Sequence, residues 1–326
     1  MSEATRRSLL AGAGVAAAGL SLPVATGRAE AAAPANGRQT VGVYRYKVGS
    51  YELTALHDGT YYRPIDDKFV KNAAWPDVQK TLADNFLPTD TLPTPFTALM
   101  VNTGSKLVLI DTGTAGQLAA TASGIGPALT AAGFDPKAVD VVLISHLHPD
   151  HINGIKTKEG GLVFPNAEVR VPAAEWTYWM DDANLSAAPE AARPGFLNAR
   201  RIFKDIAKNL NRFEPGKEVA PGITAIAAHG HTPGHTVFAI ASGNQSMLAL
   251  GDTAHLPSVF VRHPEWQATI DVDGAMAAET RKKMLDRAAA DKMLVQGYHF
   301  PFPALGYIAR RSEGYEVIPA MWQPAL

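Results

Sequence analysis

One heptapeptide constrains the possible fold and chemistry of this chain more than any other segment: Ser145-His146-Leu147-His148-Pro149-Asp150-His151. It follows residues 139–144, a run that is apolar apart from Asp140 and typical of a buried β-strand. Side chains two apart in a strand point the same way, so His146 and His148 can converge on one metal ion. The proline after them makes the chain turn, which lets Asp150 and His151 face a second ion about 3.5 to 4 Å from the first. A lone histidine is usually a packing or surface residue, but three histidines and an aspartate this close together predict a metal site.

The composition limits the partners and the ligand chemistry of this site. The chain has 326 residues, of which 46% are hydrophobic and 19% charged, as expected for a folded globular protein rather than a disordered or fibrous one. Its 30 Lys and Arg against 31 Asp and Glu give a net charge of -1, so no nucleic-acid partner is expected. Because the chain has no cysteine, disulfides, thiolate metal sites and a cysteine nucleophile are excluded.

The amino terminus has the pattern of a cleaved export signal. Arg6 and Arg7 precede an Ala-, Gly- and Leu-rich apolar run over residues 8–25, and small residues follow it. The paired arginines resemble the twin-arginine export signal. A membrane anchor is the less favoured alternative, because the run is short, rich in Ala and Gly, and interrupted by Pro23. We therefore expect residues 1–31 to be removed, a periplasmic or secreted location without a stable membrane anchor, and a single domain over residues 32–326.

Hydrophobic periodicity indicates the secondary structure of the rest of the chain. Alternating patterns predict two β-hairpins, over residues 41–47 with 51–56 and over residues 97–102 with 106–110. Helical patterns lie at residues 116–132, 173–181, 199–213 and 275–291. The irregular segment at residues 184–194 predicts a surface loop. Two sheet-rich halves with helices outside them favour two packed sheets in a mixed α/β (α+β) fold of four layers.

The heptapeptide carries the H-x-H-x-D-H signature and resembles the metallo-β-lactamase superfamily. The family's other elements follow in order, as Leu109-Ile110-Asp111-Thr112-Gly113, Gly230-His231-Thr232-Pro233-Gly234-His235, Gly251-Asp252-Thr253 and Gly297-Tyr298-His299. This resemblance covers nearly all of the chain after the export signal. It implies an αββα sandwich with the active site along one edge of the two sheets.

The resemblance also implies a complete set of metal ligands. One ion would be held by His146, His148 and His231, a second by Asp150, His151 and His299, and Asp252 would bridge the two. Five imidazoles and two carboxylates suit Zn²⁺, although Mn²⁺, Co²⁺ or Fe²⁺ are also compatible with these ligand types. Two such cations sharing one water molecule would lower its pKa towards 7, so that it attacks the substrate as a bridging hydroxide.

Three residues near the ligands are expected to support the site from outside it. Asp111 is interpreted as structural, holding either the loop or a ligand histidine in place rather than binding an ion. His229 and His235 flank His231 and are interpreted as supporting or packing residues.

Within the superfamily, the chain most resembles the methyl parathion hydrolase branch and its lactonase and aryl-esterase relatives. We therefore predict an enzyme, a hydrolase that opens lactones or aryl esters and also cleaves organophosphate triesters. A dedicated phosphotriesterase of the methyl parathion hydrolase type is the alternative. A mononuclear iron oxidoreductase on the same fold is less favoured, because Asp252 is present, and a metal-binding module without catalysis is disfavoured by the complete ligand set.

The resemblance places three residues in the substrate pocket. Trp179 and Phe196 correspond to aromatic pocket residues that hold an aryl leaving group in the related hydrolases. His255, three residues after Asp252, stands where methyl parathion hydrolase has an apolar residue. A hydrogen-bond donor at this position suits the carbonyl oxygen of a carboxylic ester or lactone. His255 is therefore predicted to be both catalytic and substrate-binding. The expected substrate is a small neutral aromatic molecule or a lactone, and a homodimer is expected because the resembling hydrolases are dimers.

Overall fold

The strands of the first half of the chain pair into one seven-stranded sheet in chain order. The computed structural model describes residue 37, residues 39–206 and residues 210–326. The strands of this first sheet are β1 (Val43–Val48), β2 (Tyr51–Pro64), β3 (Thr91–Asn102), β4 (Leu107–Ile110), β5 (Val141–Leu143), β6 (Glu168–Pro172) and β7 (Leu210–Phe213). The first four are antiparallel, and β5, β6 and β7 each run parallel to the strand before them. Both predicted hairpins are confirmed, as β1 with β2 and β3 with β4.

The second half of the chain forms another seven-stranded sheet, again in chain order. Its strands are β8 (Glu218–Ala220), β9 (Ile223–Ala227), β10 (Thr236–Ser242), β11 (Gln245–Ala249), β12 (Leu294–Gln296), β13 (Leu305–Arg310) and β14 (Tyr315–Pro319). Neighbouring strands are antiparallel except β11 and β12, which are parallel and need a crossover connection. A long helix lies in that crossover.

The two sheets pack face to face through alternate residues of their strands. In β4, Val108 and Ile110 join a buried cluster with Phe238 and Ile240 of the second sheet. Leu109, between them in sequence, points to the opposite face and packs in a different cluster. This period of two is the one expected for strands covered on both faces.

Helices cover the outer face of each sheet. The α-helices of the described residues are α1 (Trp75–Asp84), which packs instead against residues 257–261, α2 (Gly126–Ala131), α3 (Pro149–Ile152), α4 (Ala173–Met180), α5 (Asp182–Ala187), α6 (Arg193–Phe203) and α7 (Gly274–Ala290). Leu129 of α2 and Ile202 of α6 pack in the outer cluster of the first sheet, and Leu285 of α7 packs in that of the second. The layers are therefore helix, sheet, sheet and helix, which confirms the predicted αββα class.

Three local predictions differ from the structure. The helix expected at residues 116–132 is confined to Gly126–Ala131, because Gly116 and Gly124 adopt positive φ angles of 64° and 98° that no right-handed helix contains. The helix expected at residues 199–213 ends at Phe203, and residues 210–213 instead pair with β6. The predicted loop at 184–194 begins within a helix, α5, which starts where the Asp181 carboxylate accepts hydrogen bonds from two backbone N–H groups.

Residues Val41–Leu326 form one compact unit. The export signal predicted over residues 1–31, and with it the boundary of the predicted domain at residue 32, lies outside the described residues. Within the part of the chain that the structure describes, no helix combines the length and apolar character needed to cross a membrane.

Candidate metal centre

The heptapeptide directs its ligands to two different places, as the sequence predicts. His148 is extended, with φ -72° and ψ 154°, and caps α3, whose first residue is Pro149. Proline at the first helical position costs no hydrogen bond, so the loop that follows β5, which ends at Leu143, can enter the helix at this point. His146 and His148 therefore belong to one cluster of ligand atoms, and Asp150 and His151 to another.

The first ligand group consists of His146, His148 and His231, together with Asp252. His148 Nδ1 lies 3.0 Å from Nε2 of His146 and 3.0 Å from Nε2 of His231. Asp252 Oδ2 lies 3.3 Å from His231 Nε2. A tetrahedral ion about 2.0 to 2.1 Å from each nitrogen would hold such nitrogens roughly 3.3 Å apart. The spacing therefore fits one small divalent ion.

The second ligand group consists of Asp150, His151 and His299, again with Asp252. Asp252 Oδ1 lies 3.1 Å from His151 Nε2, while its Oδ2 lies 3.0 Å from His299 Nε2. Asp150 Oδ2 lies 3.4 Å and 3.6 Å from the same two nitrogens. Because Asp252 contacts both groups, it occupies the place of a bridging ligand.

Four of the five imidazoles donate the hydrogen of their outward nitrogen to an oxygen. Their Nδ1 atoms lie close to these acceptors: His146 to Ser145 Oγ at 3.1 Å, His151 to Asp111 Oδ2 at 2.9 Å, His231 to Asp271 Oδ1 at 2.8 Å and His299 to the Pro95 carbonyl at 2.9 Å. Such contacts fix the tautomer and the ring orientation of metal-binding histidines. In the neutral ring, each Nε2 then presents a lone pair to the centre.

Those inward lone pairs lack satisfactory partners within the protein. His148 Nδ1 carries one hydrogen at most when neutral, so it cannot donate to both His146 and His231. His151 Nε2 and Asp252 Oδ1 face each other at 3.1 Å, yet neither makes a hydrogen bond to any described residue. Buried polar atoms without partners are costly, and cations between them would remove that cost. The residues present therefore fit two divalent ions.

Burial keeps two of the ligands ready to bind a cation. It lowers the pKa of the His148 imidazole to about 3 and holds the pKa of His146 well below its usual value. Both rings are therefore neutral near pH 7 and retain a free lone pair.

The second ligand group is partly open to solvent at Asp150. The Asp150 side chain is 15% exposed, whereas the His151 side chain is fully buried.

The loop that carries Asp252 is held by His235. The backbone N–H of Asp252 donates to His235 Nε2 at 3.0 Å, and His235 Nδ1 donates to the Ala228 carbonyl at 3.1 Å. Gly251 makes this approach possible, because a Cβ at that position would lie 2.7 Å from His235 Nε2 and its φ is 52°. The supporting role expected for His235 is confirmed. The carbonyl of His229 accepts a hydrogen bond from Thr280 Oγ1 at 2.8 Å, and its buried Nε2 has no hydrogen-bond partner among the described residues.

The structure also confirms that Asp111 belongs to neither ligand group and supports the ligand His151 through a hydrogen bond. Its Oδ2 accepts from His151 Nδ1, and both of its oxygens accept from Ser145, through the backbone N–H and the hydroxyl at 2.8 Å each. Asp111 therefore holds the start of the heptapeptide and orients His151. It has a φ of 59°, a left-handed conformation that aspartate tolerates better than most residues.

The aromatic residues predicted for the pocket lie beside the first ligand group. The Trp179 ring stands edge-on to the His148 imidazole, with ring centres 5.7 Å apart. Phe196 packs behind Trp179 at 4.6 Å and is only 1% exposed, in the core cluster outside the first sheet. Trp176 is partly buried and packs against Phe203, with ring centres 5.6 Å apart. A substrate contact by Trp179 or Phe196 stays a prediction.

His255 lies at the edge of the centre and ligates neither group. Its ring lies 4.2 Å from the His299 ring and 6.5 Å from the His231 ring. It has a φ of 36°, a strained conformation of the kind that collects at functional sites. Its Nδ1 is buried and bonds to no described residue. Its predicted role toward substrate stays a prediction, but its position permits that role.

Sequence reasoning missed three residues that support the ligands. Asp271 accepts the hydrogen of His231, and the buried Arg281 lies 3.5 Å from the other oxygen of that carboxylate. Glu175, on α4, accepts from the backbone of the heptapeptide. None of the three belongs to a motif, and each meets the site only through tertiary packing. Only Glu175 has a sequence signal that could have indicated its role. It stands four residues before Trp179 in a predicted helix, so the two side chains lie on the same face.

Comparisons with known proteins find solved structures that are similar over most of the chain. The structure of AidC, described as a dizinc quorum-quenching lactonase in complex with the product N-hexanoyl-L-homoserine, is 30% identical with a TM-score of 0.82, over 87% of this chain and 99% of that chain. The hydrolase AbOPH, of the beta lactamase superfamily, is 30% identical with a TM-score of 0.81, over 88% of this chain and all of that chain.

A more distant structure extends the agreement in fold alone. It is a probable metal-dependent hydrolase from Staphylococcus aureus, 20% identical with a TM-score of 0.69, over 85% of this chain and 100% of that chain. Among curated protein sequences, none matches the chain. The family model of the metallo-beta-lactamase superfamily matches residues 93–297, which include six of the seven predicted metal ligands. The chain therefore belongs to the metallo-β-lactamase superfamily.

Proposed function

We propose that this chain is an exported, dinuclear hydrolase that opens lactones and aryl esters and also cleaves organophosphate triesters. Its membership of the superfamily and its clustered ligands identify it as a metal-dependent hydrolase, as the sequence predicts. The observation that carries the dinuclear proposal is the position of Asp252, which contacts both ligand groups. The 30% identity to a dizinc lactonase supports zinc and lactone substrates.

When bound, two divalent ions would activate a water molecule for attack and polarise the carbonyl or phosphoryl oxygen of the substrate. The chain's own residues set the geometry for this chemistry. Asp252 places a negative charge between the two groups of imidazoles, which offsets the charge of two cations. Asp111 and Asp271 accept hydrogens from His151 and His231 and so keep both rings pointed inward.

His255 would act on the substrate rather than on the ions. Burial, with the neighbouring His299, holds the pKa of His255 well below its usual value, so the ring is neutral near pH 7. A neutral imidazole still carries one N–H, which can donate to a carbonyl oxygen or to an alkoxide leaving group. This contribution favours lactones and alkyl esters, whose leaving groups are poor, over esters of phenols.

The aromatic surface of Trp179 beside His148 supports a neutral substrate. An edge-on indole offers apolar contact and a rigid wall, as small-molecule sites commonly do. A dedicated phosphotriesterase is the second candidate, because the same surface would hold an aryl leaving group. A mononuclear iron oxidoreductase is disfavoured by the contacts of Asp252 with both ligand groups.

The location and the assembly belong to the same proposal. The arginine pair and apolar run at the amino terminus support export to the periplasm or the exterior. We expect a small-molecule substrate, no nucleic-acid partner and no stable membrane anchor, and a homodimer by likeness to related hydrolases.

A substrate panel tests this function. The zinc-loaded chain without residues 1–31 is assayed with N-hexanoyl-homoserine lactone, an aryl acetate and methyl parathion, and kcat/KM is compared. The proposal expects the lactone or the aryl ester to give the highest value and methyl parathion a lower one. Asp252→Asn should lower all three rates by about 10²-fold or more, because a neutral amide cannot offset two cations. A preference for methyl parathion would replace the proposal by the phosphotriesterase alternative.

A further inference from the structure

One carboxylate outside both ligand groups gathers three hydrogen-bond donors. Glu175 lies in the first turn of α4 and its side chain is fully buried. Its Oε1 accepts from the Gly234 N–H at 2.6 Å, and its Oε2 accepts from the Leu147 N–H at 3.1 Å and from the Trp179 indole N–H at 2.7 Å. Burying a carboxylate is costly, and three donors on one carboxylate offset that cost.

Each donor belongs to a different part of the site. Leu147 stands between the ligands His146 and His148, so its N–H fixes the backbone that aims both rings. Gly234 belongs to the loop that carries His231, the remaining histidine of the first ligand group. Trp179 lies one turn further along α4, with its ring against His148. Glu175 thus connects all three histidines of the first ligand group to the aromatic wall beside them.

The packing around Gly234 shows how closely these parts are joined. A Cβ at Gly234 would lie 2.4 Å from the backbone nitrogen of Glu175 and 3.0 Å from Ala174. The loop of His231 therefore rests directly on the start of α4, with no space for a larger residue. A displacement of α4 would be transmitted to His231 and Trp179 together.

We propose that Glu175 is a positioning residue that couples the first ligand group to the aromatic wall formed by Trp179. Loss of its charge should weaken zinc binding and substrate binding together, although Glu175 touches neither. The part of this inference that concerns substrate rests on the proposed hydrolase function. The part that concerns zinc does not.

Glu175→Gln is the sharpest probe of this role. Gln has nearly the same shape, but its NH2 group must face an N–H donor in either orientation, at Gly234 or at Leu147 and Trp179. At least one buried donor is then left without an acceptor. Trp179→Phe is the partner variant, because it removes one donor and retains a ring. Glu168→Gln, on a partly exposed glutamate of β6, is the matched control for the substitution itself.

Zinc binding is measured on the full mature chain by competition with a chromophoric chelator. For Glu175→Gln we expect one of the two stepwise dissociation constants to rise about tenfold or more. Trp179→Phe and Glu168→Gln should leave both constants within about twofold of the wild-type values. In wild type, the Leu147 and Gly234 amides should be protected from hydrogen exchange although both lie outside strands, a measurement that does not depend on any variant folding.

Steady-state kinetics with the preferred substrate complete the test. Glu175→Gln should raise KM about fivefold, and this increase should shrink in the Trp179→Phe background, where the indole donor is already absent. If Glu175→Gln lowers only the melting temperature, with both zinc constants and KM unchanged, the residue is merely structural and the proposal is overturned. Unprotected Leu147 and Gly234 amides would overturn it as well. Absence of hydrolysis in wild type would remove the proposed function but leave the zinc and exchange results to decide the role of Glu175.

Discussion

His231 and Asp271 lie 40 residues apart in the chain, and the imidazole Nδ1 donates to the carboxylate Oδ1 at 2.8 Å. The second oxygen of Asp271 accepts from the Ala268 N–H at 3.2 Å and lies 3.5 Å from the buried guanidinium of Arg281. The carboxylate is therefore fixed on both sides, and it holds one ring of the first ligand group in the orientation that binds an ion.

Asp271→Asn should weaken this ligand group. Asn can keep one acceptor for His231, but its NH2 then faces the Ala268 N–H and Arg281, both of which are donors. We expect zinc affinity to fall roughly 10- to 100-fold, measured by chelator competition. Asp273→Asn, two residues away, is the control, because Asp273 only caps α7 and Asn caps a helix equally well. Equal zinc affinity in Asp271→Asn and Asp273→Asn would remove Asp271 from the site.

Asp111→Asn should affect both the second ligand group and the stability of the fold. Asp111 orients His151 and also accepts both hydrogen bonds from Ser145, so the amide leaves at least one buried donor unpaired. We expect the zinc-free protein to lose about 1–3 kcal/mol of unfolding free energy, measured in urea, and the loaded protein to bind zinc more weakly. Unchanged stability of the zinc-free protein would show that the buried network around Asp111 contributes little.

His255→Leu should change the substrate preference rather than the metal content. Without the imidazole N–H, turnover of a lactone should fall by about 10²-fold, since its alkoxide leaving group needs help. The turnover of methyl parathion should be unchanged or higher, because its nitrophenolate leaving group needs no proton donor. The measurement is the ratio of kcat/KM for the two substrates in wild type and variant. An unchanged ratio would show that His255 does not contact the substrate.

Export is tested at the amino terminus. In a bacterial host with a twin-arginine pathway, the exported protein should begin near Ala32 by mass spectrometry. Replacing Arg6 and Arg7 by Lys should leave uncleaved precursor in the cytoplasm. Periplasmic protein that still begins at Met1 would contradict cleavage. Export that the double substitution leaves intact would indicate the general secretory route.

The sequence predicts the ligands of this site far better than their supports. One short segment contains four of the predicted ligands, His146, His148, Asp150 and His151. The alternation of side chains before Pro149 and the turn after it predict which ion each side chain faces. The supporting role of Asp111 was also predicted, because Asp111 stands in a segment that resembles the turn preceding the heptapeptide in this superfamily. Alternation on two sheet-rich halves favoured two packed sheets, and the resemblance to the superfamily implied the αββα order of the layers.

The residues that support the ligands depend on tertiary contacts that no local sequence pattern encodes. Asp271 meets His231 because the loop before α7 pairs with the His231 loop, through hydrogen bonds from the Val272 and Asp273 N–H groups to the His231 and Gly230 carbonyls. Glu175 looks like a surface residue in a helical pattern, but the heptapeptide and the His231 loop both lie against its side chain. The helix predicted through residue 213 failed for a similar reason, since pairing with β6 overrides the local preference of residues 210–213.

The central claim, a dinuclear centre built around Asp252, is tested most directly by titrating the zinc-free mature chain with Zn²⁺ while following lactone hydrolysis and bound metal. The account predicts about two ions per chain at saturation, with most of the activity appearing as the second ion binds. Chelator should abolish that activity, and Zn²⁺, Mn²⁺ or Co²⁺ should restore it. Saturation at one ion per chain with full activity would contradict the account.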